Sequence, residues 1–158
     1  DNDIVLIFKD NIKLLGNLDE TILINLKYNL DKIILNSDQE QLSRVFFNLI
    51  KNSIESIQQK SEDNKDFIKK ISIGINKFDN QINIIIIDNG IGFGIFADNI
   101  KDIINPYFTT KKNGTGLGLS IVSKIINDHN GKIEFIPIDN GAKVSIDFKL
   151  DGIRNINS

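Results

Sequence analysis

An apolar stripe along residues 38–59 is the feature that most constrains the fold of this 158-residue chain. Apolar side chains recur there at intervals of three and four, the spacing of one face of an α-helix. The stripe consists of Leu42, Val45, Phe46, Leu49, Ile50, Ile54 and Ile57. Ser37 or Asp38 can cap the N-terminus, and the acidic Glu40 lies in the first turn. This segment is therefore the clearest predicted helix.

The rest of the chain alternates between helical and strand patterns. Helices are predicted over residues 4–15, 98–104 and 117–128, with a polar connector over residues 60–70. Strands are predicted over residues 71–78, 82–88, 132–137 and 142–150, and a β-hairpin over residues 21–27 and 32–36. The strand 82–88 is apolar at almost every position, which favours a central strand buried on both faces. We predict an α/β fold in which a mixed sheet carries helices on one face.

Composition excludes several classes of function. The formal net charge of −2 provides no long-range attraction to nucleic acid or to an anionic membrane. Cysteine is absent, which excludes disulfides and thiol nucleophiles, and the single histidine, His129, excludes a multi-histidine metal site. The longest apolar runs are too short to cross a bilayer. Because the chain begins with Asp1 and contains no methionine, we expect a fragment or a processed product.

Two carboxamides on the long helix are candidate metal or phosphate contacts. Residues four apart lie on one helix face, so a polar face comprises Gln41, Arg44, Asn48, Asn52 and Glu55. Carboxamide oxygens are neutral, hard ligands for a magnesium ion that also holds phosphates. The alternative is an ordinary solvated surface.

Residues 88–94, at the end of the apolar strand, are a second candidate. The carboxylate of Asp88 can accept a hydrogen bond from an exocyclic amine such as that of adenine. The glycines that follow permit positive φ and close approach of a flat ring. A plain turn after a strand would show the same Asp-Asn-Gly sequence.

Two further segments suit phosphate binding. Residues 106–112 join an aromatic pair to hydroxyls and lysines, as in an anchored loop that reaches phosphate, or in a simple surface loop. Residues 114–120 place glycines before a helix, where free backbone N–H groups form an anion site. Neither the dinucleotide-binding nor the Walker fingerprint is present.

In this order the four segments resemble the N, G1, F and G2 motifs of the GHKL nucleotide-binding superfamily. That superfamily includes DNA gyrase, the Hsp90 chaperones, histidine kinases and MutL, and the resemblance runs from residue 38 to residue 131. It implies the Bergerat fold, a two-layer α/β sandwich in which a mixed, mostly antiparallel sheet packs on about three helices. It also implies ATP and Mg²⁺ as ligands.

The resemblance assigns roles to individual residues. The ATP-binding set would be Asn48, Asn52, Asp88, Gly90, Ile91, Gly92, Phe108, Thr109, Thr110, Lys111, Gly114, Thr115, Gly116, Leu117, Gly118 and Leu119. Asn52 would ligate Mg²⁺, Asp88 would take the adenine amino group, and Asn48 and Lys111 would be the catalytic residues.

Asn48 selects the branch of the superfamily. The ATPase branches place a glutamate at that position to activate water, and asparagine cannot act as a general base. Histidine kinases need no such base because an imidazole nitrogen is already nucleophilic. The pattern therefore favours a sensor histidine kinase, and it looks most like the nitrogen-regulation type. Glu55 stands where many histidine kinases have a basic residue that meets the phosphates. A carboxylate beside a triphosphate is repulsive, and we expect Lys111, rather than Lys112 or Lys51, to supply the balancing positive charge.

The resemblance further implies a multidomain parent. Residues 1–20 would be a helical lead-in from the dimerisation and phosphoacceptor domain, residues 21–150 the catalytic domain and residues 151–158 a C-terminal tail. The acceptor histidine would lie on that absent domain, and His129 would be structural at its helix end.

The expected partners follow from this arrangement. They are the phosphoacceptor domain and a response-regulator receiver domain, with no nucleic acid and no direct membrane contact. The parent would be a homodimer anchored in the bacterial inner membrane, with this domain in the cytoplasm as a monomer when isolated. Three alternatives stay open: a chaperone-like or topoisomerase-like ATPase, a nucleotide-binding module without catalysis, and a small-molecule sensor unrelated to ATP.

Overall fold

The computed structural model describes residues 1–93 and 118–150. The elements in chain order are β1 (Asn2–Asp3), α1 (Ile4–Leu15), β2 (Leu23–Tyr28), β3 (Ile34–Leu35), α2 (Gln39–Asp63), β4 (Lys70–Phe78), β5 (Gln81–Asp88), α3 (Gly118–Asp128), β6 (Gly131–Ile138) and β7 (Gly141–Lys149). The helix predicted near residues 98–104 and the predicted tail 151–158 lie outside the described residues.

The main sheet has five strands in the order β2-β4-β5-β7-β6. β2 runs parallel to β4, and every other neighbouring pair in this sheet is antiparallel. β5 is the middle strand, with β4 and β7 on either side. The predicted mixed, mostly antiparallel sheet is confirmed.

The long helix α2 forms because its apolar stripe is covered. All seven stripe residues are buried in the core. Burying one such side chain is worth about 1.5–3 kcal/mol, so packing rather than helix propensity stabilises this helix. Its N-cap is Asp38, whose carboxylate accepts a hydrogen bond of 3.0 Å from the backbone N–H of Gln41. The helix continues to Asp63, so the first residues of the predicted connector are helical.

Helix α1 packs on α2 and shares its core. The rings of Phe8 and Phe46 stack with centroids 3.9 Å apart. The buried Asn11 amide donates to the carbonyl of Ile7 at 3.0 Å and to the hydroxyl of Ser43 at 3.3 Å. None of the helices that the structure describes is both long enough and apolar enough to cross a membrane.

The predicted hairpin over residues 21–27 and 32–36 is wrong. β2 pairs in parallel with β4, and β3 pairs antiparallel with the short β1. An alternating strand has the same pattern in a hairpin and at a sheet edge. The partner is decided by which pairing covers the apolar side chains, and Ile24, Leu26 and Tyr28 of β2 pack against the common core.

The prediction for β5 is half correct. The strand is central, but only one of its faces is fully buried. Ile82, Ile84 and Ile86 face the helices, whereas Ile85 and Ile87 on the other face are half-buried. Among the described residues the helices pack on one face only, so the molecule has two layers and the outer isoleucines retain solvent contact.

Candidate functional site

Asp88 is the buried carboxylate at the end of β5. Asp88 is 6% exposed, and its partners in the sheet are Ile71 on β4 and Ala142 on β7. Oδ1 accepts a 2.9 Å hydrogen bond from the backbone N–H of Gly90, and the carboxylate also accepts one from the Ser53 hydroxyl. Burial raises the pKa of Asp88, while these two hydrogen bonds and the charge of Lys60 act to lower it. A carboxylate has about four lone-pair sites, so acceptor capacity is left for a ligand amine.

Gly90 lies directly against helix α2. A Cβ atom at this position would collide with the Ser56 hydroxyl and would lie 2.6 Å from the Ser56 carbonyl carbon. The backbone N–H of Ile91, the next residue, donates to the Ser56 hydroxyl at 3.0 Å. The absence of a side chain at residue 90 therefore lets the chain dock on the helix, a constraint additional to the predicted approach of a flat ring.

Gly92 adopts the left-handed conformation that a glycine permits. Its φ is 71°, and a Cβ atom there would lie 2.6 Å from the carbonyl oxygen of Gly141. Both restrictions favour glycine, because L-residues pay a steric cost at positive φ. The turn after β5 is thus fixed against the start of β7.

Asn89 ties the same segment to the β4 edge. Its side chain accepts a 2.9 Å hydrogen bond from the backbone N–H of Lys70 and donates to the carbonyl of Ile68. Its own carbonyl accepts a 2.9 Å hydrogen bond from the ammonium of Lys60. Asn89 therefore orients the segment rather than pointing into a ligand site.

The carboxamide face of α2 is the second part of the site. Asn48 and Asn52 are half-buried, and Glu55, one turn beyond Asn52, is half-buried as well. Lys51 lies 3.9 Å from the Glu55 carboxylate, measured from Nζ to Oε1. Lys51 therefore places one positive charge beside the Glu55 carboxylate. Lys111, which we expected to supply the balancing charge, lies outside the described part of the chain.

Much of the predicted phosphate site lies outside the described residues. This holds for Phe108, Thr109, Thr110, Lys111, Gly114, Thr115, Gly116 and Leu117. Gly118 begins α3, and Leu119 is half-buried against the core. Over residues 1–93 and 118–150, no group of three histidine, aspartate or glutamate side chains could hold a metal ion by itself. A magnesium ion here would need oxygens from its nucleotide in addition to Asn52, which is how Mg²⁺ usually binds.

Comparison with known proteins identifies the family. The model for histidine kinase-, DNA gyrase B- and HSP90-like ATPases matches residues 37–152, which include α2, Asp88 and α3. The chain belongs to this ATPase family. The predicted GHKL resemblance is confirmed.

Relatives within the ATPase family are sensor kinases. A protein of Rickettsia bellii described as NtrY-like sensor histidine kinase is 29% identical over 153 residues, 96% of this chain and 24% of that protein. Sporulation kinase A of Bacillus subtilis is 34% identical over 129 residues, 82% of this chain and 19% of its own length. Nitrogen regulation protein NtrY of Azorhizobium caulinodans is 35% identical over 117 residues, 73% of this chain and 15% of the relative. The chain thus spans about a quarter or less of each relative, and its NtrY-like character is confirmed.

Solved structures of the ATPase family agree with the fold. The catalytic domain of histidine kinase ThkA matches with a TM-score of 0.79 at 24% identity, covering 94% of this chain and 93% of that one. A mycobacterial sensor histidine kinase, MprB, matches with a TM-score of 0.80 at 16% identity, covering 94% and 95%. The predicted two-layer α/β sandwich is confirmed.

His129 has a structural position in this ATPase domain. Its Nε2 accepts from the backbone N–H of Asp38 at 3.1 Å, so Nδ1 carries the proton and donates to the carbonyl of Ile125 at 2.7 Å. Both ring nitrogens are engaged by backbone, which agrees with the structural role expected of this histidine.

Sequence reasoning missed Ser53, Ser56 and Lys60. All three contact the segment 88–91 that carries the predicted adenine carboxylate. The signal was available, because steps of three and four place them along one line of α2. It went unused because serines and lysine on a helix ordinarily indicate a solvated face.

Proposed function

We propose that this domain binds Mg-ATP and donates the γ-phosphoryl group to a histidine on a separate dimerisation domain of a two-component sensor kinase. The domain contributes orientation and charge neutralisation, which dominate catalysis of phosphoryl transfer. Family membership and the sensor-kinase relatives support this proposal.

The buried Asp88 carboxylate is the observation that carries the nucleotide assignment. A carboxylate that is 6% exposed costs free energy unless its oxygens are hydrogen-bonded or used by a ligand. Two donors from the protein, Gly90 N–H and the Ser53 hydroxyl, leave acceptor capacity for the exocyclic amine of adenine. Guanine carries an exocyclic amine of its own, so the choice of adenine rests on the match to the ATPase family rather than on this carboxylate alone.

Asn52 and Asn48 would hold the phosphate end of the nucleotide. The two side chains share a face of α2, and a carboxamide oxygen of Asn52 fits Mg²⁺. When bound, the metal ion neutralises charge on the phosphates. We propose that Lys111, Thr109, Thr110 and the glycines from Gly114 to Gly118 complete the phosphate contacts.

With asparagine at position 48, we expect phosphoryl transfer to a histidine to be faster than hydrolysis of ATP by water. Asparagine has no proton-accepting state near neutral pH, so it cannot deprotonate an attacking water. A histidine acceptor needs no such base. We expect slow hydrolysis and, with an acceptor domain present, phosphorylation of that domain.

The parent protein and its partners are part of the same proposal. We propose that residues 1–20 lead in from the phosphoacceptor domain and that phosphate passes on to a response-regulator receiver domain. A ThkA structure in complex with a response regulator protein, TrrA, shares the fold of this chain. The parent would be a membrane-anchored homodimer with this domain in the cytoplasm.

The deciding experiment mixes the domain with a separately produced acceptor-helix domain and γ-labelled ATP. Base-stable, acid-labile label on the acceptor domain is the expected result, because phosphohistidine has that stability. Rapid ATP hydrolysis without an acceptor would instead indicate an ATPase. If Mg-ATP failed to raise the melting temperature, the nucleotide-binding proposal itself would be contradicted.

A further inference from the structure

One line of side chains on α2 contacts the segment 88–91 residue by residue. Ser53, Ser56 and Lys60 are spaced by three and four positions, so they lie on one face of the helix. Ser53 contacts the carboxylate of Asp88, Ser56 receives Ile91 N–H, and Lys60 contacts the carbonyl of Asn89. We call these three residues the α2 support line.

Ser53 is the member that contacts the carboxylate itself. Its residue is 6% exposed, and its hydroxyl donates to Asp88. The backbone N–H of Gly90, two residues further along the chain, donates a second hydrogen bond to Oδ1 of Asp88. Two donors on a buried carboxylate restrict its rotation about χ2, a torsion whose distribution is otherwise broad.

Lys60 holds the backbone next to that carboxylate. Its ammonium donates to the Asn89 carbonyl at 2.9 Å and lies 4.6 Å from the centroid of the Phe67 ring. The aromatic ring and the carbonyl together fix where the ammonium lies. Lys60 is also the cation whose charge acts on Asp88 among the described residues.

We propose that Ser53 and Lys60 are positioning residues for adenine recognition, holding the Asp88 carboxylate ionised and aimed at the exocyclic amine. This inference rests on the proposed nucleotide function. The physical need is clear, because burial disfavours the charged form and an ionised carboxylate is the stronger acceptor. Ser53 and Lys60 offset the cost of burying the charged carboxylate of Asp88. Ser53 does so with a hydrogen bond and Lys60 with a nearby positive charge.

The first test needs no nucleotide. Carboxyl-¹³C aspartate labelling follows the titration of Asp88 in the wild type, in Ser53→Ala and in Lys60→Met, and Asp88→Asn assigns the signal. Both variants should move the midpoint to higher pH, because each removes a contribution that favours the charged form. Ser61→Ala is the matched control, since the Ser61 hydroxyl bonds only to the Ile57 carbonyl among the hydrogen bonds seen and leaves Asp88 untouched.

The second test measures ligand affinity. Ser53→Ala should weaken binding of Mg-ATP, because part of the variant's Asp88 is then protonated or turned away from the exocyclic amine. Binding of Mg-triphosphate, which lacks adenine, should stay within about twofold. The loss for ATP should grow as the pH falls, because more of the variant is then protonated at Asp88.

The outcomes separate this inference from the proposed function. An unchanged Asp88 midpoint in both variants would overturn the inference even if ATP binds well. Equal weakening of ATP and triphosphate would also overturn it, since that pattern indicates general damage to the domain. Shifted midpoints in a domain that does not bind ATP would refute the adenine part of the inference together with the proposed function, and leave only a structural role for the support line.

Discussion

The imidazole of His129 joins the end of α3 to the start of α2. Its Nε2 accepts a 3.1 Å hydrogen bond from the backbone N–H of Asp38, a residue 91 positions away in the sequence. Asp38 is the N-cap of α2, the helix that carries Asn48 and Asn52. The single histidine of the chain therefore stabilises the scaffold of the candidate site.

Replacing His129 with alanine should lower stability without removing ligand binding. The Asp38 N–H is solvent-accessible, so water replaces part of the lost bond and we expect a loss of about 1 kcal/mol in the free energy of unfolding. Urea unfolding measures this loss, and Asn127→Ala, an exposed position on the same helix, is the control. Label on His129 after incubation with ATP would contradict its structural role.

Asp88→Asn should stabilise the empty domain while removing its response to ATP. Because burial raises the pKa of Asp88, the folded state binds this proton more tightly than the unfolded chain does. Stability contributed by Asp88 is therefore lost as the pH rises from the ordinary carboxyl pKa through the raised one. Asparagine has no such proton, so at neutral pH the variant should melt at a higher temperature than the wild type.

Melting curves across pH check this prediction. The difference between wild type and Asp88→Asn should shrink towards acid pH, where Asp88 is protonated in both the folded and the unfolded state. Mg-ATP should raise the melting temperature of the wild type only, whereas Mg-triphosphate should affect both proteins equally. A variant stabilised by ATP as strongly as the wild type would refute the adenine role.

Gly90→Ala should be strongly destabilising. Its Cβ would lie 2.6 Å from a backbone atom of α2, which cannot move without displacing the helix. Overpacking of this kind costs about 1–3 kcal/mol or more. Gly74→Ala is the matched control, because the nearest atom to its Cβ is 3.9 Å away. Comparable losses at both positions in chemical denaturation would show that the contact with α2 is not the cause.

Asn52→Ala should abolish the magnesium dependence of nucleotide binding. Removing a metal ligand should weaken Mg-ATP by about 10-fold or more while metal-free ATP is little affected. Calorimetric titrations with and without Mg²⁺ measure both affinities, and Gln59→Ala, exposed on the same helix, is the control. Undiminished dependence on magnesium would exclude Asn52 as the ligand.

Local patterns carried most of the correct predictions. The period of residues 38–59 and the Asp38 cap predict α2, and the strand patterns of residues 71–78 and 82–88 predict β4 and β5. The family follows from four short segments in a fixed order, of which the carboxamides Asn48 and Asn52 and residues 88–93 lie in the described part of the chain. Each of these signals depends on neighbours within a few positions, so the sequence expresses it directly.

The errors concern partners that are far apart in the sequence. β2 has the alternation of a hairpin strand, yet its partner is β4, some 47 positions along, because that pairing covers Ile24 and Leu26. The apolar run of β5 predicts burial on both faces, but Ile85 and Ile87 lie on a face without a described helix above it. The local sequence pattern does not show which element packs on a given face of a strand.

The sequence alone determined the long amphipathic helix, the carboxylate at the end of an apolar strand and the ATPase family. Only the tertiary structure decided that Ser53 and Lys60 lie close to Asp88, that a side chain at residue 90 would collide with Ser56, and that His129 bonds to the N-cap residue of a distant helix. The physical reason is that periodicity and turn chemistry act through adjacent residues. The contacts of a carboxylate, a glycine or an imidazole depend on which helix face the folded core brings against it.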